Sequence, residues 1–245
     1  MAPSSTDFFP FALPHVEPTQ KRIRVLFGGE YIVDTTNAKL VWTHPYFPFY
    51  FFKSEDVPEK YLVPAAPSDQ ENQQRRYDLV VGEKKAELAV TKYLAGELAG
   101  LTSILFAAAD AWFEEDEQTF LHPKDPYKRV DVFSSSRHIR VEFNGQEVAN
   151  TKRPRLLFET GLRVRTYIPK ADCRMDLLEP TELTTSCPYK GTANYYTIRL
   201  PDGTTCENSV WWYRTPLPEA VETKGLVAFY DEKLDVYVDG VLQPR

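Results

Sequence analysis

Ile139, Val141 and Phe143 are apolar, and the residues between them, Arg140 and Glu142, are charged. That two-residue period predicts a strand with one buried face. Asn144-Gly145 follows, and "QEVANT" resumes the alternation, so 139–151 reads as a hairpin on a tight turn. The same reading applies to "IRVLF-GG-EYIVDT" from Ile23. Further on, "YYTIRL-PDG-TTCENSVWWY" predicts another hairpin around Pro201-Asp202-Gly203, and "LVAFY-DEK-LDVYV-DG" a third, rich in β-formers. Within "SVWWY" the alternation puts Trp211 and Tyr213 on one face and Trp212 on the other. One short helix is expected in "TPLPEAVETKG", with prolines at its start and Gly225 at its end.

The hairpins recur. "IRVLFGGEYIVDTTNAKLVW" (Ile23–Trp42) aligns without gaps on "IRVEFNGQEVANTKRPRLLF" (Ile139–Phe158) at a shift of 116, with seven of twenty positions identical. The same shift carries Asp56 onto Asp172, and "AVTKY" (Ala89–Tyr93) echoes "SVWWY" (Ser209–Tyr213) in the same order. Two copies of one β-rich domain follow. Expected boundaries are an N-terminal arm at 1–20, a first domain at 21–120, a joining segment at 121–137 and a second domain at 138–245. One segment competes with this picture. Leu94, Leu98, Leu101, Leu105, Ala108 and Trp112 have helical spacing. Its counterpart in the second copy is a short helix followed by strands, and Gly96 and Gly100 weaken a long helix, so strands are expected here.

Composition narrows the function classes. A net charge of −6 argues against a general nucleic-acid surface, although "TKRPR" (Thr151–Arg155) and "RVR" (Arg163–Arg165) form a basic island. It reads as a solvated strand face. No apolar run is long enough to span a membrane, and the N-terminus lacks the basic start of a secretory signal, so a cytoplasmic protein is expected. Cys173, Cys187 and Cys206 are few, odd in number and without C-x-x-C spacing, which fits neither a disulfide framework nor zinc. No Rossmann or P-loop fingerprint is present. No metal and no cofactor are expected.

The chain resembles the domain-of-unknown-function family 427, also catalogued under a nucleotidyltransferase-like label. In the second copy the resemblance runs through "IRVEFNGQEVANT", "LLFETG", "YIPKADCRMDLLEPTELTTSCPYKGTANYY", "ENSVWWY" and "KGLVAFYDEKLDVYVDG". In the first it covers "IRVLFGGEYIVDTTNAKLVW" and "DAWFEEDEQTFLHPKDPYKRVDVFSSSRHIRV", the latter typical of tandem members. The fold it implies is a β-tent, similar to the zinc-containing ligand-binding domains of the cereblon type, though without their cysteine pairs. The fold class is thus mainly β: two tandem β-tent-like domains of antiparallel sheets with short helices. A nucleotidyltransferase would need clustered carboxylates for divalent metals. The run Glu114–Glu117 is the candidate, with a solvated hairpin end as its plainer reading.

Candidate chemistry concentrates in "TTSCPYKGTANYY" (Thr184–Tyr196), where the first copy has the polar "APSDQENQQRRYD" (Ala66–Asp78). Pro188 and Gly191 make a rigid corner that presents Cys187, Tyr189 and Lys190 together. Two readings stand: a strand-end turn, or a site in which Lys190 meets an anionic or carbonyl ligand against Tyr189 and Tyr195. Lys190, Glu159 and Cys187 are the catalytic candidates, with Glu159 and Lys190 as an acid–base couple. Tyr167, Arg165, Trp211 and Tyr213 are expected to line the pocket, and His122 and Arg129 either cap it or lock the two domains. The expected partner is a small polar or anionic metabolite bound in an aromatic-walled pocket, with turnover left open. Neither nucleic acid nor a membrane is expected as a partner. A non-catalytic sensor or a protein-interaction module is the alternative.

Overall fold

The two-residue alternation becomes strand in both halves of the chain. The computed structural model describes residues 9–66 and 73–245, which fall into two units dividing between Asp125 and Pro126. In the first unit the strands begin with β1 (His15–Pro18), β2 (Ile23–Phe27), β3 (Glu30–Thr35) and β4 (Lys39–Trp42). Then come β5 (Phe49–Lys53), β6 (Leu62–Pro64), β7 (Gln74–Val81) and β8 (Lys84–Tyr93). The last three are β9 (Leu101–Ile104), β10 (Ala111–Glu114) and β11 (Glu117–Thr119). They form a seven-stranded sheet in the order β1-β4-β5-β9-β8-β7-β6 and a four-stranded sheet in the order β11-β10-β2-β3.

The second unit repeats this strand for strand. It opens with β12 (Val130–Ser134), β13 (Ile139–Phe143), β14 (Gln146–Thr151), β15 (Arg155–Glu159) and β16 (Arg165–Pro169). It continues with β17 (Leu178–Cys187), β18 (Gly191–Arg199) and β19 (Thr205–Tyr213). It closes with β20 (Leu226–Phe229), β21 (Asp235–Val238) and β22 (Val241–Leu242). The sheets are β12-β15-β16-β20-β19-β18-β17 and β14-β13-β21-β22, antiparallel like those of the first unit. Among the described residues the only helical segments are short 3-10 turns, one of them at Pro218–Thr223 where the helix was expected. The chain is thus mainly β, two tandem domains of antiparallel sheets.

Each core lies between a long and a short sheet. In the second unit Ile139, Val141 and Val236 of the short sheet pack with Ile168, Ile198, Val210 and Phe229 of the long one. In the first, Val25 and Trp112 meet Trp42, Phe52 and Leu79. The Asn144-Gly145 turn has φ of 49° and 76°, the left-handed pair that two-residue hairpin loops require. Residues 94–112 hold turns, β9, a 3-10 turn and β10. The helical spacing there was coincidental: Leu98 and Trp112 are buried, whereas Leu94 and Leu105 are exposed.

Two expectations change. "LVAFY-DEK-LDVYV" is not a hairpin: β20 pairs with β16 and β19 in the long sheet, while β21 pairs with β13 and β22 in the short one. The Tyr230 and Lys233 amides close a bend, donating to Ser209 O and Tyr230 O, that carries the chain from one sheet to the other. The expected arm, 1–20, contributes β1, which pairs with β4 as β12 pairs with β15 in the second unit. Residues 1–8 of that arm, and 67–72 of the first copy's counterpart to the "CPYKG" stretch, lie outside the described residues.

Both copies close their first hairpin onto a following 3-10 turn in the same way. Thr35 Oγ1 donates to Asp56 Oδ2 at 3.1 Å, and its equivalent Thr151 Oγ1 donates to Asp172 Oδ2 at 2.7 Å. The same hydroxyls accept from the amides of Asn37 and Arg153. In the second copy Arg153 also grips Asp172 through two nitrogens, at 3.0 and 2.7 Å. The Arg153 hydrogen bond, then that of Thr151, holds the Asp172 carboxyl down to about 2. A carboxyl depressed on folding contributes stability above its unfolded value, near ~4, and loses it as pH falls through the folded value. Asp172→Asn should therefore lower the unfolding free energy by about 1 kcal/mol at pH 7. In urea titrations the gap from wild type should close between pH 4 and pH 2; a gap unchanged at pH 2 would show that the charge contributes nothing.

Candidate functional site

Alternation along β16 and β19 gives the second unit's long sheet two different faces. Ile168 and Val210 point into the core between the sheets. Tyr167, Trp211 and Tyr213 lie on the other face with Leu157, Ala193, Tyr195 and Ala228. Register explains how the rings meet. Tyr167 of β16 and Trp211 of β19 both pair with Ala228 of β20, whose small side chain leaves the space between them open. Trp211 Nε1 donates to Tyr167 Oη at 3.1 Å, with the rings edge to face at 6.2 Å. Trp212 goes to the other side, stacking on Tyr196 at 5.9 Å beneath Lys170 Nζ, which lies 3.8 Å from the indole centroid.

The "CPYKG" stretch is the loop between β17 and β18. Cys187 and Gly191 face each other across the ladder, and Pro188, Tyr189 and Lys190 make the turn. Gly191 sits at φ +94°, and a Cβ there would stand 3.1 Å from Thr215 O, so only glycine fits. Leu217 N donates to Lys190 O at 3.2 Å and ties the loop to the chain before the last 3-10 turn. Tyr189 is buried. Lys190 Nζ reaches from this loop to Glu159 Oε2 at the end of β15. The couple expected from the sequence is a direct ion pair, and both side chains are mostly shielded, 14% and 8% exposed.

The tyrosines crowd the same neighbourhood. Burial pushes the Tyr167 phenol well above its ordinary range, the Trp211 hydrogen bond opposes this, and electrostatic interaction with Glu159 and Cys187 adds to it. Burial raises Tyr213 likewise, reinforced by Tyr167, Cys187, Tyr195 and Glu159. Both phenols therefore keep their protons at neutral pH, and Tyr167 accepts from Trp211. Tyr195 Oη shares a hydrogen bond with Thr185 Oγ1 at 2.7 Å. Arg165 lies over the Trp211 ring at 5.5 Å while its guanidinium pairs with Glu232 at 2.7 Å and Asp231 at 3.8 Å.

Lys190, Glu159, Cys187, Tyr167, Tyr195, Trp211, Tyr213 and Arg165 thus belong to one face and its rim. His122 and Arg129 do not join them in the same way. His122 lies in the first unit, stacked on Phe47 at 4.0 Å with Nδ1 2.7 Å from Pro123 O. Arg129, at the start of the second unit, pairs with Asp131 at 2.8 Å and is largely exposed. Sequence reasoning missed Tyr230, which packs on Trp211 at 4.6 Å and is pushed up to about 12 by burial and then by its hydrogen bond with Tyr195. The alternation Ala228–Tyr230 places it on this face, a signal hidden while β20 was read as half of a hairpin.

The other candidates are tied into structure. Cys173 donates weakly to Pro169 O, and burial pushes its thiol up to about 12. The Glu114–Glu117 run is the turn between β10 and β11: Glu114 pairs with Lys21 and accepts from Tyr50, and Asp116 pairs with Arg24. Among the described residues no group of three or more His, Cys, Asp or Glu is placed to hold a metal ion. Arg153, Arg155 and Arg165 of the basic island pair with Asp172, Glu222 and Glu232. No described helix is long and apolar enough to cross a membrane.

The first copy carries a plainer version of this face. By register, Phe51 stands where Tyr167 is, Ser103 where Ala228 is, and Thr91 where Trp211 is. Thr43 replaces Glu159 at the shift of 116. Tyr93, equivalent to Tyr213, packs on Phe51 at 5.4 Å in a small cluster with Val41 and Leu98. Among the described residues the polar constellation belongs to the second copy.

A family model described as "Domain of unknown function (DUF427)" matches residues 15–114 and 131–240, one match to each copy. No curated protein matches the chain.

The shielding of the ion pair sets a stability test. Lys190→Met leaves the Glu159 carboxylate nearly buried without its cation and should cost about 2 kcal/mol, below the range of a fully buried pair. Adding Glu159→Gln should recover at least half of that. Chemical denaturation of the two single variants and the double gives the coupling energy, and a coupling near zero would mean that the pair does not hold the loop to β15.

Proposed function

The chain belongs to the DUF427 family in two tandem copies, and from that premise we propose that its second domain binds a small polar metabolite on the face built around Glu159 and Lys190. The observation that carries this reading is the convergence of a shielded ion pair with two proton-holding phenols and an indole on one sheet face. A packed core needs none of these polar groups. Shielding strengthens each electrostatic contact a ligand would make. A ligand carboxylate or carbonyl would take hydrogen bonds from Lys190 and from Tyr167 or Tyr213, while Glu159 accepts from a hydroxyl or amine. Trp211 and Tyr195 supply apolar surface for the ligand's flat side, the usual composition of a small-molecule site. If the bound molecule reacts, the Glu159–Lys190 couple is the group placed to exchange a proton with it.

The test is native mass spectrometry after incubation with a metabolite extract from the host, wild type beside Lys190→Ala and Tyr213→Phe, with circular dichroism confirming that each variant folds. A discrete added mass on wild type, lost from Lys190→Ala and weakened in Tyr213→Phe, is the expected result. The same mass on all three, or none on wild type, would overturn the reading. Product accumulating beyond the protein concentration would mark turnover rather than storage.

A further inference from the structure

On the opposite face of the same sheet, where Leu156 and Phe158 point rather than Leu157 and Glu159, the second unit holds a cavity of about 490 Å³. Its floor is apolar, with Ile139, Leu156, Val236 and Val238, and its charged lining residues are Arg137, Arg163 and Asp231, two cations against one carboxylate. That volume falls within the range of small-molecule pockets. Among the described residues neither guanidinium hydrogen-bonds to a side chain, and Arg163 lies near the charges of Asp231 and Glu232.

The first copy shows what the same frame holds when it is filled. Register places Trp112 where Val236 is and Glu114 where Val238 is. Tyr50 stands where Thr166 is, since each faces the equivalent leucine, Leu40 or Leu156. Lys21 occupies the position of Arg137 at the shift of 116. In the first copy these four residues form one unit. Tyr50 stacks on Trp112 at 6.1 Å and donates to Glu114 Oε1 at 2.6 Å, and the other carboxylate oxygen of Glu114 pairs with Lys21. Two rings and a carboxylate thus answer one cation. The second copy keeps the cation as Arg137 and has Thr166, Val236 and Val238 in place of the rings and the carboxylate. The pocket opens to solvent past the exposed Phe158, Leu162 and Val164, and it lies where the first copy has packed rings and a carboxylate.

The geometry points to a ligand site between the two sheets of the second domain for a small aromatic carboxylate, its ring on Ile139, Leu156 and Val236 and its carboxylate on Arg137 and Arg163. The ligand supplies from outside the ring and the charge that Trp112, Tyr50 and Glu114 supply in the first copy. Arginine suits the task better than lysine, because its planar fork meets a carboxylate with two parallel hydrogen bonds. This site is independent of the Glu159–Lys190 face, and the two readings stand or fall separately.

Isothermal titration calorimetry with indole-3-carboxylate and 4-hydroxybenzoate tests it, with indole and acetate as the ring-only and charge-only controls. Saturable binding of at least one of the two acids is expected, at least tenfold tighter than either control, which is the scale of one charge-assisted bidentate contact. Val236→Trp should abolish binding by filling the cavity as the first copy does, and should raise the melting temperature. Arg137→Gln, at an exposed position that folding does not depend on, should weaken binding about tenfold while leaving Lys190-dependent ligand capture intact. If Val236→Trp fails to fold, Val238→Glu, which restores the first copy's carboxylate beside Arg137, should weaken binding instead. No saturation by either acid at millimolar concentration, equal binding of indole, or an affinity unchanged in Arg137→Gln would each overturn the proposal.

Discussion

One hydrogen bond organises the polar face of the second domain: Trp211 Nε1 to Tyr167 Oη, across Ala228. An indole N–H and a phenol O–H buried on a sheet face each require a partner. Here the indole N–H donates to the phenol oxygen, and that bond leaves the phenol's own proton unused. The bond also fixes two rings across three strands, so the positions of Tyr213, Tyr195 and Tyr230 follow from packing against them. Where the first copy has Phe51, Ser103 and Thr91 in that row, there is no polar anchor, and the face shrinks to the small cluster around Val41, Phe51 and Leu98.

The ion pair depends on that frame. Glu159 lies at the end of β15 and Lys190 in the β17–β18 loop, far apart in strand order. They meet because the loop is held by the left-handed Gly191 and by the Leu217 amide on Lys190 O. A charge pair that is 14% and 8% exposed gains more from its Coulomb attraction than a surface pair, and suffers more if one member is lost. Such an arrangement stabilises the fold only modestly. It holds two opposite charges in defined places, which is a requirement of recognition more than of packing.

Much of this was legible in the sequence because the signals were local. The Asn144-Gly145 turn, the Pro201-Asp202-Gly203 turn and the two faces of "SVWWY" each need only a few consecutive residues to declare themselves. The internal repeat added the one long-range fact, and it correctly set aside the helical spacing from Leu94 to Trp112. What local pattern does not carry is which sheet a strand joins. "LVAFY" and "LDVYV" read as hairpin partners because both alternate and a short polar link separates them. Their separation into different sheets depends on β16, β19 and β13, which flank them in space and lie distant in sequence. For the same reason the Glu159–Lys190 couple could be named but its burial could not, and the membership of Tyr230 went unread.

The duplicated frame distributes its aromatic side chains in opposite ways. The first copy places Trp42, Tyr50 and Trp112 between its sheets, where each large ring buries some 150–250 Å² and contributes on the order of 4–6 kcal/mol of transfer free energy as an upper bound. The second copy has Phe158, Thr166 and Val236 at those positions and puts Tyr167, Tyr195, Trp211 and Tyr213 on the outer face of its long sheet. Rings inside the tent favour a well-filled core. Rings on the outer face of the long sheet, tied together by hydroxyls and bordered by a shielded ion pair, form a buried polar cluster instead. Both arrangements use the same strand order and the same Thr–Asp clamp between hairpin and 3-10 turn. The copies differ in side-chain allocation on a shared strand order, and in backbone chiefly where β17 runs ten residues against three in β6. One strand order thus accommodates either allocation of its rings, between the sheets or on the outer face of the long one.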